Sequence, residues 1–279
     1  MNRHIVVGVD GSAPAAAAVE WAAADARRRG LGLRLVHVCE HAPHGIDVRK
    51  YCEGTLAAAA DRARELAPGV GASTLLRAGK VAETFIEESA DADSVVLGSR
   101  GRGGFAGMLL GSVGLGVAGH AAGPVVIVRG PSVAGPGEVV AGYDGSAHSE
   151  AALRYAIEQA RARGGTLRVV YAWQTPAVSP YAAAYGGLAE DVHEQEMRAA
   201  AERVAPWREK NPDVRIVDEQ EIGHPASVLI QAGTTADLLV VGSRGRGGLA
   251  SALLGSVSHA VLHHVTCPIA VVRPRDERA

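Results

Sequence analysis

Two stretches of this chain carry glycine, arginine and serine at one repeated spacing. The first is Gly98-Ser99-Arg100-Gly101-Arg102-Gly103-Gly104, which runs on to Gly111-Ser112-Val113. The second is Gly242-Ser243-Arg244-Gly245-Arg246-Gly247-Gly248, which runs on to Gly255-Ser256-Val257. Both have the form G-x2-G-x9-G-S. Glycine leaves no Cβ between a ligand and the backbone, so the main chain can approach within hydrogen-bond distance. Successive N–H groups in such a loop make a concave anion nest. A helix starting at Gly111 or Gly255 adds orphan donors and the positive end of its dipole, and Ser112 or Ser256 adds a hydroxyl there. The ligand this chemistry suits is anionic, best a phosphate chain.

Charge patterning agrees. No Asp or Glu occurs from Ser94 through Gly137 or from Leu238 through Arg275, although both zones keep their arginines. A phosphate site should exclude carboxylates, because like charges repel strongly where water is scarce. The arginines either touch phosphate or stay at the surface. A Walker loop is excluded: no G-x4-G-K-[ST] exists, and lysine occurs only at 50, 80 and 210. Gly101-x-Gly103-x-x-Ala106 has the form of a dinucleotide fingerprint, but no acid follows about twenty residues later.

Each loop is entered from a short apolar run that reads as a buried strand: Ser94-Val95-Val96-Leu97 and Leu238-Leu239-Val240-Val241. The duplication extends further. His4-Ile5-Val6-Val7-Gly8-Val9-Asp10-Gly11-Ser12 matches Glu138-Val139-Val140-Ala141-Gly142-Tyr143-Asp144-Gly145-Ser146, and Pro124 to Arg129 matches Pro268 to Arg273. The offset grows from 134 at the aspartates to 144 at the glycine loops, so the second copy holds ten extra residues, placed near Gln174 to Gly187. The two copies span 1–129 and 138–279, joined by a Gly/Pro-rich linker at 130–137.

In the first copy the patterns predict strands at 4–9, 33–38, 72–77, 94–97 and 124–128. Helices are expected near 13–29, 53–67 and 80–90 and from about 112. Strands alternating with helices give an α/β fold: two tandem, doubly wound, five-stranded parallel sheets with helices on both faces. Ligands in such sheets bind beyond the strand C-termini, where the strand order reverses. Asp10 and Asp144 then reach the crevice and either face base or ribose hydroxyls, or hold a turn and cap a helix.

Composition narrows the function. A net charge of −2 supplies no basic field for nucleic acid, and 4% aromatic residues are too few for a base-stacking surface. No apolar run approaches a membrane span. The first residues enter a strand pattern directly, so no signal peptide is expected. The three cysteines, Cys39, Cys52 and Cys267, show no C-x-x-C spacing, which argues against a disulfide frame or zinc ribbon and for a reducing cytoplasm.

The strand–Asp-Gly-Ser opening, the two G-x2-G-x9-G-S loops and the closing Pro-Val-x-Val-Val-Arg-like strand resemble the universal stress protein family, as a tandem member. The resemblance covers nearly the whole chain. It implies strand order 3-2-1-4-5 in each half and ATP binding, with or without Mg2+. It also implies pairing of the halves through their last strands, with two chains forming a homodimer. By motif, Asp10 and Asp144 would meet the adenosine portion, and the backbone of Val38 or Ala172 the adenine. Gly98, Gly101, Gly111, Ser112 and Val113 would hold ribose and phosphates, as would Gly242, Gly245, Gly255, Ser256 and Val257. Ser99, Arg100, Arg102, Gly103 and Gly104 complete the first candidate set; Ser243, Arg244, Arg246, Gly247, Gly248 and Ser258 complete the second. Gly8 and Gly142 lie where the first strand approaches the ligand.

The expected role is a cytoplasmic, ATP-dependent stress or growth regulator acting on a protein partner, with no dedicated catalytic residue. A slow Mg2+-dependent ATPase is the alternative. Gly114, Gly116 and Gly119 in the first copy replace Ser258, Ala260 and His263 of the second. They either soften the first site or let the halves pack closely. The His259, His263, His264 cluster reads as surface or interface. Arg27-Arg28-Arg29 reads as a helix C-terminus matched to its dipole, and Cys52 and Cys267 as structural.

Overall fold

A computed structural model describes residues 3–39, 48–101, 110–130, 135, 137–173, 186–247 and 253–275. The first half runs β1 (His4–Gly8), α1 (Ala13–Arg29), β2 (Gly32–Cys39), α2 (Val48–Leu66), β3 (Ala72–Ala78), α3 (Val81–Glu88), β4 (Ser94–Gly98), α4 (Ser112–His120) and β5 (Val125–Val128). The second half repeats it as β6 (Val139–Gly142), α5 (Ala147–Arg163), β7 (Thr166–Trp173), α6 (Gly186–Lys210), β8 (Arg215–Ile222), α7 (Pro225–Ala232), β9 (Leu238–Gly242), α8 (Ser256–His264) and β10 (Ile269–Val272). The predicted elements of the first copy all appear. The second helix starts earlier than the sequence pattern suggested, at Val48. Most of the proposed linker, and most of the region assigned the ten extra residues, lies outside the described residues.

Within each half the strands are parallel and ordered 3-2-1-4-5. The two five-stranded sheets are continuous, forming one ten-stranded sheet of order β3-β2-β1-β4-β5-β10-β9-β6-β7-β8. The join is the antiparallel pair β5–β10, in register Ile127↔Ile269 and Val126↔Ala270. Pairing through the last strands, implied by resemblance, is therefore present. Both strands are four-residue apolar runs, VVIV and IAVV, wholly buried. Such runs lack polar alternation because helices cover both faces.

Two cores follow, one on each face. Ile5, Val7, Val96 and Val126 point into a core with α1, α2 and α5; Val6, Val95, Val125 and Ile127 point into one with residues of α3, α4, α7 and α8. Alternate strand residues thus serve opposite faces, as the two-residue period requires. Each core contains residues of both halves. The apolar stripe Val19, Ala22, Ala23 and Ala26 of α1 is fully buried, and α1 ends at Gly30 in the left-handed region (φ 65°).

Candidate functional site

The Asp-Gly-Ser turn after the first strand of each half is built by its own side chains. Asp10 Oδ1 accepts the Ser12 N–H at 2.9 Å, and Asp144 Oδ1 accepts the Ser146 N–H at 3.0 Å. The intervening Gly11 and Gly145 sit at φ 81° and 79°, where a side chain would be strained. Ser12 and Ser146 then cap α1 and α5, their Oγ atoms accepting N–H bonds from Ala15 (3.3 Å) and Ser149 (3.2 Å). The aspartates hold the turn in both halves, while the helix caps are the serines'.

The carboxylates also support the glycine loops. A Cβ on Gly101 would lie 2.7 Å from Asp10 Oδ2, and one on Gly245 would lie 2.5 Å from Asp144 Oδ2. Asp144 Oδ2 accepts the Arg246 N–H at 3.0 Å. Burial pushes the Asp144 carboxyl upward, but hydrogen bonds from Ser146, Ser149 and Arg246 outweigh it and hold it below the ordinary carboxylate value. The aspartate therefore clamps the loop in its charged form.

The loop entrance and the helix start are tied together behind the crevice. The carbonyls of Ser99 and Ser243 accept the N–H groups of Gly111 and Gly255, each at 2.8 Å. The buried Ser258 hydroxyl donates to the Ser243 carbonyl at 2.9 Å. Gly111 and Gly255 are the N-caps of α4 and α8, and neither supplies a side-chain cap. The first turn of each helix thus faces the loop without a side chain of its own across its donors.

In the second half these parts enclose a crevice of about 450 Å³ at the point where the strand order reverses between β6 and β9. Its lining combines apolar Val170, Leu229, Val241 and Leu254 with Gly245, Gly247, Gly255 and Ser256, and with Arg244 and Arg246 of the loop. Ala172, Val257, Gly142, Asp144, Gly242 and Ser258 also line it. Ser243 does not: it is fully buried behind the wall, its Oγ 2.9 Å from His148 Nδ1. Gly248 lies outside the described residues, as do Arg102, Gly103 and Gly104 of the first half. The described parts of the first loop, Ser99, Gly101 and Gly111, repeat the second half's arrangement.

The strand glycines serve packing. A Cβ on Gly8 would meet Leu97 Cδ2 at 2.5 Å, and one on Gly142 would meet Leu229 Cδ1 at 2.9 Å. Gly142 lines the crevice as well. Of the α4 glycines, Gly119 bears on the choice between a softer site and closer halves. Its Cβ would lie 3.3 Å from Leu253 Cβ of the other half, so this glycine admits the neighbouring loop.

His148 carries no motif and went unread in the sequence. Arg244 Nε donates to His148 Nε2 at 3.2 Å, so Nδ1 carries the proton and donates to Ser243 Oγ. Burial, then the charges of Arg244 and Arg273, lower its pKa and keep it neutral. Its counterpart at the 134-residue offset is Pro14, a difference that only an alignment of the two copies exposes.

The sequence argument against a disulfide is overturned: Cys39 and Cys52 are joined, with Cα atoms 6.7 Å apart. The bridge links the end of β2 to α2, a strand-to-helix contact that no short cysteine motif encodes. Cys267 is unpaired, and burial pushes its thiol up to about 11, in keeping with a structural role. His259 and His263 pack with ring centroids 4.6 Å apart. No helix among the described residues is long and apolar enough to cross a membrane.

Two doubly wound halves sharing one sheet, with a glycine-walled crevice at a switch point, define the class: a tandem α/β protein. The chain belongs to the universal stress protein family, whose model matches residues 1–129 and 137–273. It is 36% identical to a universal stress protein of Mycolicibacterium smegmatis over 97% of each chain. It is 37% identical to universal stress protein Rv2005c of Mycobacterium tuberculosis, covering 98% of this chain and 97% of that one. A universal stress protein from Archaeoglobus fulgidus shares the fold, with TM-score 0.71 and 23% identity over 100% of this chain and 98% of the other.

Proposed function

We propose that the chain binds ATP, one molecule per half, and acts as a nucleotide-dependent regulator rather than a dedicated catalyst. The observation that carries this reading is the second crevice, lined by apolar side chains that suit an adenine and by a glycine-rich loop that exposes its backbone. A cavity of about 450 Å³ suits a ligand of nucleotide size. Gly247 faces open space, with no atom within 4 Å of where its Cβ would stand. The uncapped start of α8 and the arginine-rich, acid-free loop favour the phosphate end. Residues around the first half's loop repeat this chemistry.

Among the described residues, the crevice has no poised acid or base for hydrolysis. Both Asp144 oxygens accept N–H groups of the chain, which commits this carboxylate to holding the loop. Any Mg2+ would be held mainly by the phosphates. Nucleotide occupancy would act by stabilising the loop geometry that a protein partner reads, since a ligand favours the state it binds better. Two such chains would pair as a homodimer in the cytoplasm.

Isothermal titration of the nucleotide-free protein with ATP tests the reading. Two ATP per chain are expected for the wild type. Gly245→Ala should bind one, because its Cβ would displace the Asp144 carboxylate from the Ser146 and Arg246 N–H groups. No heat with wild type, or unchanged stoichiometry in the variant, would sink the assignment.

A further inference from the structure

We propose that the chain, once its disulfide is reduced, binds one thiophilic d10 cation of the zinc class through His37, Cys39 and Cys52. The site lies at the outer end of β2, in the first half alone. It does not rest on nucleotide binding.

The donor set is compact. One ligand atom from each of the three residues lies within 4.8 Å of the other two, the only such group among the described residues. Zinc bonds of about 2.3 Å to sulfur and 2.0 Å to nitrogen, at tetrahedral angles, require donors roughly 3.5–3.8 Å apart. Once the disulfide opens, rotation of the two side chains would let the sulfurs part toward that spacing.

His37 is prepared for ligation. It is buried, 6% exposed, with Nδ1 2.6 Å from the Val9 carbonyl oxygen. A carbonyl only accepts, so Nδ1 carries the proton and Nε2 keeps its lone pair. Metal-bound histidines commonly donate their other ring N–H in this way, which fixes tautomer and ring orientation. Cys52 is also buried, at 2% exposed, while Cys39 is half-buried and leaves a side for a fourth, solvent ligand. The set of two thiolates and one imidazole is soft and suits a d10 ion.

The second half provides a comparison. The registers Gly8↔Val36 and Gly142↔Val170 align β2 with β7, which sets Tyr171 and Trp173 at the places of His37 and Cys39. There the Tyr171 hydroxyl donates to Glu196 of α6 at 3.1 Å, tying strand to helix with a hydrogen bond. The first half makes the equivalent tie with sulfur and adds an oriented imidazole, which a disulfide alone does not need.

The chemistry balances. A dithiol reductant gives two electrons and two protons to the Cys39–Cys52 bond and leaves as its own disulfide, producing two thiols. On coordination each thiol releases one proton to water. Two thiolates, one neutral imidazole and one divalent cation carry no net charge, so a partly buried site can hold them at modest desolvation cost.

The full chain, reduced with dithiothreitol and desalted without oxygen, should take up one Co2+ with thiolate-to-metal charge-transfer absorption. One equivalent of Zn2+ should displace it. Cys39→Ser and Cys52→Ser should each abolish that absorption, His37→Gln should weaken binding at least tenfold, and Cys267→Ser should leave both unchanged. A measurement without substitutions guards against misfolded variants. Zinc should slow alkylation of Cys39 and Cys52 in reduced wild type at least tenfold, read by mass spectrometry, with Cys267 unaffected. Equal alkylation rates with and without zinc, or wild-type cobalt absorption in Cys52→Ser, would overturn the proposal.

Discussion

At the scale of single residues, polar groups behind the second crevice set its shape, and His148 is one whose charge state pH can change. Burial and two nearby arginines keep it neutral below the ordinary value of 6.5. Between the lowered pKa of the folded chain and 6.5, the unfolded chain holds a proton that the folded chain refuses. Stability therefore rises with pH across that window and declines as pH falls below about 6.5. One proton contributes at most about 1.4 kcal/mol per pH unit, and solvent screening of this half-exposed ring reduces that. His148→Pro places the first half's residue at the second position of α5, where proline is tolerated. Thermal melts of this variant between pH 5 and 7 should show a shallower pH dependence than wild type; an identical slope would assign the effect elsewhere. The motif residues of the crevice were legible because backbone chemistry fixes their types. His148 was not, because many side chains can brace a buried serine.

At the scale of elements, the crevice depends on how closely the end of β9 or β4 meets the start of the helix that follows the neighbouring strand, α5 or α1. A Cβ on Gly242 would lie 2.8 Å from the backbone carbon of His148, and one on Gly98 would lie 2.6 Å from that of Pro14. Backbone cannot rotate away as a side chain can. Gly242→Ala should push β9 and α5 apart, costing about 1–3 kcal/mol in urea unfolding, with ATP affinity reduced in that half alone. Unchanged stability would show that the contact relaxes freely. Strands and helices of the first copy were readable from apolar periodicity and the Asp-Gly-Ser caps. The Cys39–Cys52 bridge was not readable, since its partners meet only once β2 and α2 have packed.

At the scale of the whole molecule, the halves are held by more than the β5–β10 seam. Asp25 of α1 is fully buried and receives Gln159 Nε2 of α5 at 3.1 Å. Arg163 of α5 approaches it at 3.6 Å, and Arg29 approaches it at 3.4 Å while bonding Asp93 at 2.7 Å. In the run of arginines at the end of α1, read from sequence as a dipole match, Arg28 and Arg29 also pair with Asp25, and Arg29 reaches Glu158 of α5 at 3.3 Å; only the assembled molecule brings α5 to it. Burial lowers the Arg163 pKa, with Asp25 opposing. Removing Asp25 takes the carboxylate paired with buried Arg163 away, so Asp25→Ala should cost about 3 kcal/mol or more, measured by denaturant unfolding. A loss under about 0.5 kcal/mol would mean water already screens the cluster. On the other face, Arg129 donates to the Leu262 carbonyl and Arg273 to the Gly119 carbonyl, so the arginine after each half's last strand serves the opposite half's helix. The antiparallel join also dictates where the two mouths look. Strands of the halves point opposite ways, so the two switch points face opposite rims, four strand spacings or roughly 19 Å apart across the sheet. A receptor seated flat over one mouth is blind to the other. Under the proposed function, any listener that must sense both has to straddle the rim or arrive as a pair, and a chain with one site empty would still offer a complete signal on its other side.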